Sequence, residues 1–113
     1  MKIATHGGLF HADDVFAVAT MHLTGLVSSL VRTTNANKLA EAEIRIDVGR
    51  KYNPKTGDFD HHQEDGAGIR PNGIPYASFG LIWKEFGAQL CNGSENCASI
   101  VDYRLVQVID AFD

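Results

Sequence analysis

The residues best suited to chemistry in this chain are histidines and aspartates, and they fall into clusters. The first is His6-Gly7-Gly8-Leu9-Phe10-His11-Ala12-Asp13-Asp14. Imidazole and carboxylate are the usual ligands of manganese, iron or zinc, and here His6, His11 and Asp13 are spaced to converge on a divalent cation. The glycines let the loop fold tightly enough for both imidazoles to face inward. A plainer reading has Asp13 and Asp14 merely capping a helix at its positive end, but it leaves two flanking histidines unexplained. The second cluster is Asp60-His61-His62. Neighbouring side chains of an extended segment point to opposite sides, so one imidazole can bind metal while the other reaches a different part of a cleft. Asp47, taken alone, reads as ordinary polar punctuation at a strand end. Asp110 and Asp113 lie three apart near a helix carboxyl end, where an exposed acid opposes the helix dipole by about 0.3–1 kcal/mol. A nearby cation would compensate for that penalty; simple solvation of a frayed end is the rival account. Asp110 is preferred to Asp113, the terminal residue.

The elements that must position these groups follow from the pattern of apolar residues. Lys2-Ile3-Ala4-Thr5 reads as a first strand running into the glycine-containing loop. A helix begins at Asp13, with Val15, Val18, Ala19 and Leu23 on one face and Gly25 as its stop. A second strand runs from Val27 to Thr33, and a short helix covers Asn37 to Glu43. Ile44 to Val48 is a third strand, closed by Gly49. After the turn residues Asn53 to Gly57, Phe59-Asp60-His61-His62 is a short fourth extended segment. Gly66 to Pro75 reads as a long mobile surface loop. A helix starts near Pro75, with Tyr76, Phe79, Ile82, Trp83 and Phe86 as its core stripe and Gly87 as its end. The last helix, from Ser94 or Ser99, carries Val101, Leu105, Val108 and Phe112 on its apolar face. Strands alternating with helices imply an α/β fold, a mostly parallel sheet with helices on both faces. In such sheets ligands collect beyond the carboxyl ends of the strands. His6, Asp47 and Asp60-His61-His62 all sit there, on one edge. His22, Glu95 and Asp102 read as ordinary packing, capping or solvated residues.

The 113 residues, with 10 Lys+Arg against 14 Asp+Glu and a formal charge of −4, fit one domain without a basic nucleic-acid-coating stripe or a polybasic membrane face. Apolar runs are too short to cross a bilayer. The polar residue His6 interrupts any signal-peptide core. Cys91 and Cys97 lack metal-motif spacing and read as reduced thiols, so a soluble cytoplasmic domain is expected.

The order His-x4-His-x-Asp, a strand-end Asp and then Asp-His-His resembles the DHH phosphoesterase superfamily. The closer likeness is to the melanocyte-proliferating-gene family of metal-dependent hydrolases. It is carried by Thr5 to Asp14, Asp47-Val48-Gly49, Asp60-His61-His62-Gln63 and Asn72 to Lys84, and it covers essentially the whole chain. The resemblance implies a DHH-type N-terminal α/β domain with a two-metal site, manganese first and magnesium second. By that analogy His6 and His11 bind one ion and Asp13 the other, with Asp47 bridging the two. His61 and Asp110 complete the ligand set of the second ion, and His62 faces the phosphate. Two such ions add +4 to the formal −4, and a phosphate ester such as short RNA or a nucleotide is the implied substrate. Asp14 stands where Glu is common, and Arg50 replaces a frequent glycine. The family's second, substrate-covering domain is expected to be missing.

Two functions from different classes follow. One is a nuclease-type phosphodiesterase with His62 and Asp47 as its catalytic residues. The other is a truncated metal-binding or interaction domain without turnover. On either reading the exposed cleft face of a half-sized domain suits a homo-oligomer. A structural zinc site ranks last, since such sites favour cysteine.

Overall fold

A computed structural model describes residues 1–113. Five strands form one sheet in the order β2-β1-β3-β5-β4. Here β1 is Lys2–Thr5, β2 Ser29–Arg32, β3 Ile44–Ile46, β4 Tyr52–Asn53 and β5 Asp58–Phe59. The pairs β1–β2, β1–β3 and β3–β5 are parallel, and only the edge pair β4–β5 is antiparallel. The expected mostly parallel α/β fold is therefore present. The two-residue strand β4 was not anticipated, and the fourth extended segment is Asp58–Phe59 rather than Phe59 to His62.

Side chains alternate across the sheet. On one face Ile3, Ile44, Ile46 and Phe59 are buried and form a core with Ala17 and Met21 of α1 (Ala12–Leu23) and Phe79, Leu81 and Ile82 of α3 (Ser78–Leu90). Trp83 and Phe86 pack against that core. On the other face Arg45 pairs with Asp58 across the β3–β5 register, Nε to Oδ1 at 2.6 Å. The same guanidinium donates to the Leu39 and Ala42 carbonyls at the end of α2 (Ala36–Glu41). So a short helix is tied to this face by one side chain. Gly57 completes the β4–β5 turn at φ +80°, where a Cβ would run into the Glu43 carbonyl.

Two helices turn a different face inward from the one their apolar residues suggest. In α1 the buried positions are Asp13, Asp14, Ala17, Thr20 and Met21, while Val15 and Leu23 are exposed. The helix is rotated so that its first-turn acids enter the molecule along with Ala17 and Met21, in place of Val15 and Leu23.

The carboxyl-terminal helix consists of α4 (Glu95–Val101), a π-helical turn (Asp102–Val106) and α5 (Gln107–Phe112). A π turn holds one residue more than an α turn, and the Gln107 N–H accordingly reaches the Asp102 carbonyl. The buried face beyond it therefore moves on by one position. Val106 and Asp110 are buried and Ile109 packs on the core. Leu105, Val108 and Phe112 of the expected stripe are 39%, 49% and 88% exposed.

The segment from Gly66 to Pro75 is a tied loop rather than a free one. Ile69 bridges Pro75, and buried Arg70 donates through Nη2 to Asp102 Oδ1 at 2.9 Å, with Asp110 Oδ2 at 2.8 Å. Asp102, expected as a solvated acid, is thus a partner of a buried cation. No helix is long and apolar enough to cross a membrane.

The Arg45–Asp58 pair yields a test. Arg45→Met strands a buried carboxylate and should lower the unfolding free energy by about 3 kcal/mol in a urea titration. Burial alone would raise the Asp58 pKa, but the bonds from Arg45 and Thr56 outweigh it and hold the carboxyl below its ordinary 3.8. The folded state then binds that proton less readily than the unfolded one. Its stabilisation is complete above about pH 4 and is lost as pH falls through the lowered value. Asp58→Asn should flatten that acid limb; an unchanged limb would contradict the pair.

Candidate metal centre

Three adjacent parallel strands release their chains at one edge: β1 into His6, β3 into Asp47, and β5 into Asp60-His61-His62. The loop from His6 to His11 is pinned from β2, where Arg32 donates to the Gly8 carbonyl at 2.6 Å and lies 4.0 Å over the Phe10 ring. It brings the His6 and His11 rings to 5.8 Å between centroids. His6 Nε2 stands 2.7 Å from Asp14 Oδ2 and 3.3 Å from Asp47 Oδ2. Asp14 also accepts the His11 backbone N–H at 3.0 Å, so this buried acid closes the loop and faces the imidazoles together.

Asp47 occupies the centre. Its backbone lies in the left-handed region at φ +56°, which aspartate tolerates better than most residues. While Oδ2 faces His6, Oδ1 lies 3.2 Å from His61 Nε2 and 3.4 Å from His62 Nδ1. His61 Nε2 is also 3.5 Å from Asp13 Oδ2 and 3.0 Å from Asp113 Oδ2. Although three carboxylates surround this buried nitrogen, none meets hydrogen-bond geometry with it. That orphaned nitrogen among carboxylate oxygens is the donor set a divalent cation takes. Three groups of side chains have their ligand atoms close enough to share an ion: His6, His11, Asp14 and Asp47; Asp47, Asp60, His61 and His62; and Asp13, His61 and Asp113.

Supporting groups hold the acids in place. The first turn of α3 aims backbone N–H groups at Asp13, from Ser78 at 3.2 Å and Phe79 at 2.7 Å, and the Ser78 hydroxyl donates to Asp47 at 3.2 Å. Asp60 Oδ1 accepts from His62 Nδ1 at 2.7 Å, and its Oδ2 accepts the Arg50 backbone N–H at 2.7 Å.

The expected site residues His6, His11, Asp13, Asp47, His61 and His62 are brought together. Asp110 is not among them. Its Oδ1 accepts from the Gly80 N–H at 3.0 Å and its Oδ2 pairs with Arg70, and Asp113, one turn on, faces His61 instead. The one-residue shift of the π turn carries Asp113 to the inner side. Asp14 and Asp60, which the sequence places in the two clusters without assigning them to an ion, also lie in the site. Both immediately adjoin residues that the spacing did select.

Electrostatics follow from this crowding. Burial alone would depress the His61 pKa, but the Asp13 and Asp47 carboxylates outweigh it and push it up to about 10. Burial would raise Asp47, yet His61, His62 and His6 hold it below the ordinary carboxylate range. His6 is raised: Gly7 and Asp14 outweigh its burial. Asp113 is raised by burial and by the charge of Asp13. Away from the cleft, burial lifts Asp110 to about 6, against the pull of Arg70.

Fold and site together define an α/β domain with a histidine-and-aspartate cleft at the carboxyl edge of its parallel strands. Residues 2–113 match the model of the MYG1 exonuclease family, described as Uncharacterised protein family (UPF0160), and the chain belongs to that family. It is similar to MYG1 exonuclease of Mus musculus, 36% identical over 133 residues covering 99% of this chain and 34% of the relative. The Homo sapiens MYG1 exonuclease is 34% identical over 132 residues, covering 99% and 35%. MYG1 protein of Chlamydia trachomatis is 44% identical over 64 residues, covering 55% and 22%. The chain thus spans about a third of the length of the mammalian relatives it matches end to end. No solved structure matches it.

The acid cluster around His61 predicts a titration. In chelator-treated protein the His61 imidazole should keep its proton until pH nears 10, followed by two-dimensional NMR of the ring. Because folding raises this pKa, the stabilisation is complete below the ordinary value of 6.5 and is lost as pH rises through about 10. Asp113→Asn should move the midpoint down. A wild-type midpoint at the ordinary value would contradict the cluster.

Proposed function

We propose that this chain carries the metal-binding half of a nuclease-type phosphodiesterase of the DHH phosphoesterase superfamily, organised around two divalent cations. The observation that carries this reading is Asp47, whose two carboxylate oxygens face separate imidazole groups, as a ligand shared by two ions would. His6, His11, Asp14 and Asp47 would hold one ion, and Asp13, Asp47, His61 and Asp113 the other. Manganese is the expected metal, with magnesium the alternative, since oxygen-rich sites with imidazole suit these ions. Such a pair supplies activation of the attacking water and neutralisation of charge on the phosphoryl oxygens.

The chain's own residues do the rest. Asp60 accepts the Nδ1–H of His62 and orients this half-exposed ring; with its second nitrogen also protonated, the Nε2–H would donate to a phosphoryl oxygen or pass its proton to the leaving oxygen. The α3 N–H groups and the Ser78 hydroxyl keep Asp13 and Asp47 from swinging away. The site opens into a cavity of about 880 Å³, within the range that small-molecule sites occupy. The substrate class is a nucleic-acid phosphodiester, short RNA or nucleotides, supported by mammalian relatives that bear the name exonuclease. A cytoplasmic setting fits the free thiols of Cys91 and Cys97.

Calorimetric titration with Mn²⁺ should show two ions bound per chain, with proton release. A 5′-labelled RNA trimer should be shortened from its 3′ end in Mn²⁺ and left intact in chelator. Asp47→Ala should cut kcat/KM by more than the roughly 10–100-fold that loss of a supporting residue costs. Bound Mn²⁺ with no cleavage of RNA would instead select the second reading, a metal-binding domain without turnover. Equal activity in Asp47→Ala would defeat the proposal.

A further inference from the structure

The loop after β3 carries an arginine in a conformation that suits glycine. Asp47, Gly49 and Arg50 all have positive φ, +56°, +96° and +59°. A non-glycine residue persists in that region only where its surroundings over-determine it, and such residues gather at ligand-binding sites. Here the surroundings are explicit. The Arg50 N–H donates to Asp60 Oδ2 at 2.7 Å, while Asp60 Oδ1 takes the His62 ring and the His62 backbone N–H at 2.7 and 3.2 Å. One buried carboxylate therefore fixes the backbone of Arg50 and the ring of His62 together.

The residues lining the cleft include Asp13, Asp47, Asp60 and Asp113, together with His6, His11 and His62, and Arg50 is the one arginine or lysine among them. Unlike Arg45 and Arg70, which are spent on Asp58 and on Asp102 and Asp110, Arg50 is exposed and has no acidic partner. The acids nearest to it already face imidazoles.

We infer that Arg50 is a specificity-determining residue of the cleft that grips a phosphate group of a nucleotide substrate, on the wall shared with His62. The assignment rests on the phosphodiesterase reading for the identity of its ligand. A guanidinium offers two parallel N–H donors to phosphate oxygens, which an ammonium cannot match. Asp60 acts as a positioning residue for both groups, so the phosphate-facing pair moves as one unit.

The test compares adenosine 5′-monophosphate with adenosine, titrated by NMR into the magnesium-loaded 113-residue protein. Wild type should bind the monophosphate at least about tenfold more tightly than the nucleoside, in line with a charge-assisted hydrogen-bonded pair. Arg50→Gly should lose most of that preference, keeping only the share the bound ions supply, while its thermal midpoint is no lower than that of wild type, since glycine adopts this φ without strain. Arg50→Lys should fall between them. An RNA cleavage assay on the same proteins should show KM rising in Arg50→Gly with kcat largely kept. Two results would overturn the assignment: a wild type that treats the two ligands alike or binds neither, and an Arg50→Gly protein that keeps full preference for the monophosphate. RNA cleavage with unchanged KM in Arg50→Gly would sink the assignment and leave the phosphodiesterase reading standing. Absence of any cleavage, with most of the monophosphate preference still lost in Arg50→Gly, would sink that reading and leave the assignment intact.

Discussion

The amino terminus of α3 holds two buried carboxylates that come from opposite ends of the chain. Ser78 and Phe79 give their N–H groups to Asp13, and Gly80 gives its own to Asp110. These donors have no partner within their own helix, and the helix dipole favours negative charge at that end. An unpaired buried carboxylate is costly; here the helix end supplies the missing partners, with Arg70 completing the set on Asp110. The closeness is absolute at Gly80, where any Cβ would collide with the Asp110 carboxylate. Because Asp13 lies in the first turn of α1 and Asp110 in α5, this contact locks three helices against one another behind the cleft.

The same arrangement explains what could be read from the residues beforehand. That His6, Asp47 and Asp60-His61-His62 share one edge is legible in the sequence, because strand and helix alternation puts every parallel strand end on the same side. The inward face of α1 departs from the apolar pattern for a reason internal to the site. Apolar periodicity assumes that acids face water, and here Asp13 and Asp14 are buried. Arg70 was invisible for a similar reason: a loop rich in glycine and proline reads as mobile, whereas one arginine bonding across to Asp102 ties this one down. The two-residue strand β4 is too short to show alternation.

The electrostatic state of the cleft belongs to the protein without ions. Carboxylates outnumber the fixed cations in it, so the proton on His61 supplies compensating charge, and the same crowding raises His6. Those are the sites that cations would occupy, so metal and proton compete for the same charge deficit. Asp47 is the point at which the two halves of the cluster meet, and its left-handed backbone is the local strain that lets one carboxylate serve both sides.

The π turn at Asp102–Val106 has a consequence for the angular phase of everything after it. An α-helix advances about 100° per residue, so the single extra residue sets the direction in which Asp110 and Asp113 leave the helix. Winding Asp102–Val106 into regular α turns with every residue kept would swing both acids a quarter-turn or more away from Gly80 and His61, whereas excising one residue along with the bulge would leave them in place. The irregular turn is thus a phase adjuster: a helix of better geometry would have the wrong azimuth, and the cleft would lose one wall of its acids.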